Sequence, residues 1–228
     1  MHEGHRDRVK KRFRQEGLDH FSDIQALELL LFYGIPRVDT NPIAHALLDR
    51  FGSLSQVLEA SPEELMKVPG VGENAALLLT LIPQMGRFYM VDRSSRVTIL
   101  QTLEQCANFL VPHFFGRKVE TVFILCLDAK CKLLCCKELG EGGPNSTGVS
   151  IRKIVETAIG VNAATVVLAH NHPSGIAVPS AEDHQTTRHI AHDLQAEEST
   201  VADHIIVADG DYVSIAMSDD RFRDCLLI

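Results

Sequence analysis

His170-Asn171-His172-Pro173-Ser174-Gly175, followed by Ser180 and Asp183, brings two imidazoles and a carboxylate close together along the chain. The preceding run Ala163 to Ala169 (AATVVLA) is apolar and predicts a buried strand, so residues two apart at its end project to the same face. His170 and His172 can therefore point at one spot. Pro173-Ser174-Gly175 stops the strand, and Pro179-Ser180 predicts a helix start with Ser180 as N-cap and Asp183 in the first turn. Two nitrogens and one oxygen, with a fourth position left for water, make the ligand set of a catalytic zinc and not of a structural one. The same residues also have a plainer reading. Ser-x-x-Asp is a capping box in which Asp183 ties up a backbone N–H, and two histidines at i, i+2 can be ordinary polar residues on a turn. Their occurrence together, in this order, with a strand before and a helix after, favours the metal reading.

The string HNHPSG, then PS and D, resembles the JAMM (MPN+) metallopeptidase signature, and in particular its RadC-like branch, where His-x-His-Pro-Ser-Gly and Pro-Ser-x-x-Asp recur. Ala158 to Ala169, Asp203-His204-Ile205-Ile206-Val207 and Tyr212-Val213-Ser214 are similar to RadC as well, and so is the N-terminal half, so the resemblance covers nearly the whole chain. It implies one zinc per chain, held by His170, His172 and Asp183, with a polarised water as fourth ligand. It further implies a general-base glutamate from an earlier strand, and a role for Ser180 in stabilising the developing oxyanion.

The glutamate has to be found by position. Val119 to Asp128 (VETVFILCLD) is β-branched and apolar and predicts a central strand. Glu120 sits at its start, where the family places its glutamate; Glu138 and Glu141, at the end of the next strand, compete with it. By itself Glu120 also reads as an exposed residue at a strand start. In the implied reaction Glu120 takes the proton of the zinc-polarised water and delivers it to the leaving amine of a peptide or isopeptide bond. A single oxyanion donor such as Ser180 is typically worth about 3 kcal/mol. Asn171 points to the other face and reads as a supporting or structural residue; Asp203 and His204, beside the apolar run Ile205 to Ala208, read either as support for the site or, for His204, as a satisfied core histidine, the latter being the preferred reading. One departure stands out: RadC-like chains carry Gly-Thr and then Pro-Arg-Glu where this chain has Gly142-Gly143 and Ser150-Ile151-Arg152-Lys153, which alters the substrate-facing edge.

Composition sets the outer bounds. The 228 residues are 45% hydrophobic, enough for a sizeable core in one or two domains. No apolar run is long enough to span a bilayer and the N-terminus lacks a signal-peptide core, so the expectation is a cytoplasmic protein with no membrane partner. Six cysteines follow no Cys-x-x-Cys spacing, which disfavours a zinc ribbon. Before residue 95 the pattern is helical (Ile24 to Tyr33, Pro42 to Phe51, Pro62 to Val68, Asn74 to Tyr89); after Arg96 strands and helices mix, with Arg93 to Arg96 as the linker. The expected architecture is α+β: a helical, helix-hairpin-helix domain over residues 1–95, then a mixed-sheet MPN/JAMM domain of cytidine-deaminase-like type over 96–228.

Within the helical half, Pro69-Gly70-Val71-Gly72 resembles the turn of a helix-hairpin-helix, whose backbone N–H groups can cradle a DNA phosphate without reading sequence. Phe32 to Pro36 reads as a degenerate first copy. The rival reading is a packing module with no ligand, and the charges bear on it. Residues 1 to 98 hold 12 Lys+Arg and 13 Asp+Glu, a net of −1, and residues 99 to 228 hold 10 and 17, a net of −7. A strongly basic footprint is absent; only His5 to Arg14 (HRDRVKKRFR) is locally basic. Any DNA binding is therefore expected to be weak, salt-sensitive and without sequence specificity. The leading expectation is a zinc metallopeptidase or isopeptidase acting on a peptide or protein. The alternatives are a DNA-repair-associated factor with the metal domain as scaffold or nuclease, and a silent MPN-type interaction domain. The adjacent His-Asn-His string is not an HNH nuclease motif, whose residues are spread over a ββα unit. The sequence does not specify an oligomeric state.

Overall fold

The computed structural model describes residues 3–95, 98–144 and 149–218. The chain divides into two compact units, Met1–Gly86 and Arg87–Ile228. The linker expected at Arg93 to Arg96 ends at residue 96, outside the described residues, while Arg93 and Ser94 belong to the helix that crosses the division.

The first unit holds α1 (Glu3–Glu16), α2 (Asp23–Gly34), α3 (Asn41–Phe51), α4 (Leu54–Glu59), α5 (Pro62–Leu65) and the start of α6 (Glu73–Ser94). Ser22, Ser53 and Ser61 accept from the N3 backbone N–H groups of α2, α4 and α5, each satisfying one orphan donor of a helix start. Leu27 and Leu31, Ala44 and Leu47, and Ala75, Ala76 and Leu79 are buried in one cluster, the i, i+3, i+4 stripe of an amphipathic helix. Helix α5 is shorter than the helix expected over Pro62 to Val68. There Lys67 and Val68 donate only three residues back, to Glu64 and Leu65, and Pro69 disfavours helical backbone in the residue before it.

The second unit is built on a five-stranded sheet of order β2-β1-β3-β4-β5. Its strands are β1 (Thr121–Leu127), β2 (Leu133–Glu141), β3 (Thr165–Asn171), β4 (Thr200–Ala208) and β5 (Asp211–Ser214), and its helices are α7 (Leu103–Leu110), α8 (Ile151–Gly160), α9 (Ala181–Gln195) and α10 (Ile215–Ser218). Only β3 and β4 are parallel, joined through α9; the other pairs are antiparallel. Alternation sorts β1 and β3 cleanly. Phe123, Leu125, Leu127, Val167 and Ala169 pack with Phe109 and Leu110 of α7, while Val122, Ile124, Cys126, Val166 and Leu168 pack with Ile154 of α8 and Ile190 of α9. Both strands are buried along their whole length, as expected of strands covered on both faces. The architecture is therefore α+β, a helical region followed by a mixed sheet with helices.

Parity along β3 places His170 on the same face as Val166 and Leu168. That is the face covered by α9. Leu168 is fully buried in the middle of this strand, and we expect Leu168→Ala to cost about 3–5 kcal/mol in urea unfolding; a loss below about 1 kcal/mol would contradict the packing described.

Candidate metal centre

The site lies where β3 ends and α9 begins. His170 is the last residue but one of β3, and His172 follows the strand with its N–H on the Val207 carbonyl of β4 (2.8 Å). Their Nε2 atoms face each other at 3.0 Å. Each ring turns its other nitrogen away: His172 Nδ1 meets the Ile176 carbonyl at 3.1 Å, and His170 Nδ1 meets His204 Nε2 at 2.8 Å. A carbonyl can only accept, so His172 carries a proton on Nδ1, and in the neutral ring its Nε2 is then a lone pair.

Asp183 reaches the same point from α9. The capping box is present: Asp183 N donates to Ser180 Oγ, and Ser180 N and Oγ donate to Asp183 Oδ2 (2.8 and 2.6 Å). That leaves Oδ1, which lies 3.3 Å from His170 Nε2, while Oδ2 lies 3.8 Å from His172 Nε2. Capping and facing the imidazoles are thus compatible roles for one carboxylate. Ser180 spends its hydroxyl proton on Asp183.

Glu120, expected at the start of a strand running from Val119, precedes β1, which starts two residues later at Thr121. The cause is Asn171. Its side chain accepts from Thr121 N–H (2.8 Å) and donates to the Val119 carbonyl (3.1 Å), so an amide replaces a ladder pair on either side of Glu120. On the other flank Gly142 N–H donates to the Glu120 carbonyl (2.7 Å). A Cβ on Gly143 would stand 2.9 Å from Glu120 Oε1, so the bare glycine leaves room for this carboxylate. Glu120 Oε1 lies 3.6 Å from His170 Nε2. Of the competing glutamates, Glu138 is paired with Arg117 (2.7 Å).

Glu120, His170 and His172 each offer a ligand atom within 4.8 Å of the others and could hold a metal ion. The electrostatics fit a cation. Burial pushes the His170 imidazole down to about 4, against the pull of Asp183, so the ring is neutral and its Nε2 available. Burial also raises Glu120, with Asp183 and Glu182 adding to the rise and His172 opposing it. Two nitrogens and two carboxylates pressed together in this way suit a divalent ion with nitrogen and oxygen ligands. The cleft above them is about 340 Å³ and is lined by Glu120, Gly143, His172, Ser180, Glu182 and Asp183, among others.

The residues singled out in the helical unit lie in the turn between α5 and α6. Gly70 has φ +90° and its Cβ position meets Ile43 Cδ1 at 2.8 Å, so glycine is needed there by conformation and by packing. The basic run on α1 is partly consumed within its own unit. Arg6 donates to the carbonyls of Phe32, Ile35 and Val38 at the end of α2, and Arg12 engages Glu16, Gln25 and the His20 carbonyl.

Thr187, whose hydroxyl sits between the Asp183 carbonyl and His204, is not among the residues singled out from the sequence. Its spacing of four from Asp183, on the same helix face, was the available signal. Asn171, expected to be structural, holds the Glu120 segment.

Residues 3–77 match the UPF0758 N-terminal family and residues 100–220 match the RadC-like JAB domain. The chain is 32% identical over 219 residues to a UPF0758 protein of Fusobacterium nucleatum subsp. nucleatum, covering 93% of this chain and 94% of that protein. It is also 32% identical over 210 residues to a UPF0758 protein of Paraburkholderia xenovorans, covering 92% and 83% respectively.

Asn171→Leu strips partners from Thr121 N–H, which is fully buried, and from Val119. We expect a loss of about 1–3 kcal/mol in chemical denaturation, and unchanged stability would show that the amide clamp carries nothing.

Proposed function

Because the chain belongs to the RadC-like JAB domain family, with a UPF0758 N-terminal region ahead of that domain, we propose that it is a metal-dependent hydrolase that cleaves an amide bond, peptide or isopeptide, with zinc as the ion. The observation that supports this reading most is the pair of Nε2 atoms 3.0 Å apart with two carboxylates beside them at the floor of an open cleft. In this reading His170, His172 and Asp183 hold the ion. Bound there, zinc supplies a Lewis acid that brings the pKa of water from that of bulk toward about 7.

The chain's own groups do the rest. Glu120 is a third exposed and opens on the cleft, whereas Asp183 is nearly enclosed. The first is therefore the base and the second the ligand. A carboxyl raised by burial, as Glu120 is, is suited to take a proton from water and return it to a leaving amine near neutral pH. Ser180 holds Asp183 by N–H and O–H; contact with an oxyanion would require its hydroxyl to leave that bond. The choice of zinc rests on the two imidazoles, since a site for magnesium or calcium would be built from oxygen. A cleft of about 340 Å³ admits a segment of chain, and the substrate class in this reading is a peptide or protein.

DNA binding at Pro69 to Gly72 has no comparable support, because Gly70 is accounted for by the turn and two arginines of the basic run serve α2 and its neighbours. Among the described residues no helix is long and apolar enough to cross a membrane.

Metal analysis of the purified protein should find about one zinc per chain, lost in His170→Ala, and chelation should abolish amide cleavage. Glu120→Gln should keep the metal and lower turnover by roughly 10²–10⁴-fold. Equal zinc content in wild type and His170→Ala would overturn the site, and full turnover in Glu120→Gln would remove the assigned base.

A further inference from the structure

Behind the metal centre runs a line of three buried polar groups. His170 Nδ1 lies 2.8 Å from His204 Nε2, His204 Nδ1 lies 2.7 Å from Thr187 Oγ1, and Thr187 Oγ1 lies 2.6 Å from the backbone carbonyl of Asp183. His170 and His204 are fully buried and Thr187 is 1% exposed, so water does not compete for these bonds.

The line has a direction fixed at one end. A carbonyl oxygen donates nothing, so across the 2.6 Å contact the Thr187 hydroxyl must donate to Asp183. That hydroxyl has one hydrogen. Its oxygen therefore accepts from His204, which places the His204 proton on Nδ1. A neutral imidazole has a single N–H, so His204 Nε2 is a lone pair and must accept from His170 Nδ1–H. His170 Nε2 is then left bare, pointing at His172 Nε2 and Asp183. The Asp183 peptide carbonyl thus sets, through two intervening side chains, which nitrogen of His170 faces the cleft.

We propose that His204 and Thr187 are positioning residues that lock His170 in the Nδ1–H tautomer, so that its Nε2 is ready as a ligand before any ion arrives. The functional meaning of this lock rests on the metallohydrolase reading above, but the tautomer itself does not. The arrangement resembles in its logic the outer hydrogen bonds that orient metal-binding imidazoles, whose loss typically costs about 10–100-fold in metal affinity. It also explains why a threonine stands at position 187. A valine of the same shape would leave His204 Nδ1–H facing a methyl group in a site closed to water, and the ring would relieve this by moving its proton to Nε2. His204 would then donate to His170, driving the His170 proton onto Nε2 and blocking the ligand position.

The test reads ring nitrogens by 15N NMR in the full-length, metal-free protein and zinc affinity by chelator competition. In wild type, both His170 and His204 should carry the proton on Nδ1. Thr187→Val should move the His204 proton to Nε2 and weaken zinc binding by about 10–100-fold, and Thr187→Ser, which keeps the hydroxyl, should restore both. A wild-type His204 protonated on Nε2 overturns the proposal, and this result does not depend on either variant folding. So does a folded Thr187→Val protein that binds zinc within about twofold of wild type. If the wild type binds no zinc while both rings are Nδ1–H, the lock stands and the hydrolase reading fails.

Discussion

The two Nε2 atoms of His170 and His172 stand 3.0 Å apart, and much of the second unit can be understood as the means of holding them there. Lone pairs at that distance repel unless something positive lies between them. The chain keeps them together by engaging the opposite side of each ring: a peptide carbonyl from the loop after β3 for His172, and the buried imidazole of β4 for His170. The parallel pairing of β3 with β4, with α9 as the crossover, is what makes these contacts available. One strand and the residue after it supply the imidazoles, the next strand supplies the support for one of them, and the connecting helix brings a carboxylate to its first turn.

The cost of this arrangement is carried by the core on either side. His170, Asp183, Thr187, Asp203 and His204 are all nearly or fully buried, and buried polar groups are tolerated only when their partners are in place. Asp203, on the neighbouring position of β4, meets this condition only in part, because its Oδ2 is buried without a hydrogen-bond partner among the described residues. One of its oxygens accepts from His204 N–H and Ala216 N–H, and burial still raises its carboxyl above the ordinary range. The apolar rows of β1 and β3, packed by α7 on one face and by α8 and α9 on the other, provide the stabilisation against which such groups are set.

Much of this was legible in the sequence because it is written in local periods. The apolar run before His170, the N-cap at Ser180 and the strand after Glu120 are read with windows of a few residues, and their chemistry follows from alternation and capping. What was not legible depends on pairing between distant segments. Asn171 holds Val119 and Thr121 across some fifty residues of chain, and no local pattern distinguishes it from a turn asparagine. His204 read as a core histidine, and it is buried like one; only the partner on each nitrogen gives it further meaning. The α1 cations stand out in the sequence only as a locally basic run, yet Arg6 is folded against carbonyls about thirty residues away. Side chains that bond to distant backbone leave no periodic trace.

The capping box of α9 carries a consequence of its own. Asp183 Oδ2 closes the start of the helix, while Oδ1 of the same carboxylate looks at His170. Fraying of that first turn would therefore carry the carboxylate away from the imidazoles, and an ion bound at the site would oppose the fraying by the part of its binding free energy that depends on Asp183. Occupancy of the cleft and the winding of the helix are in this sense two readings of a single equilibrium, and slow amide exchange at Ser180 and Asp183 would serve as a gauge of what the site contains.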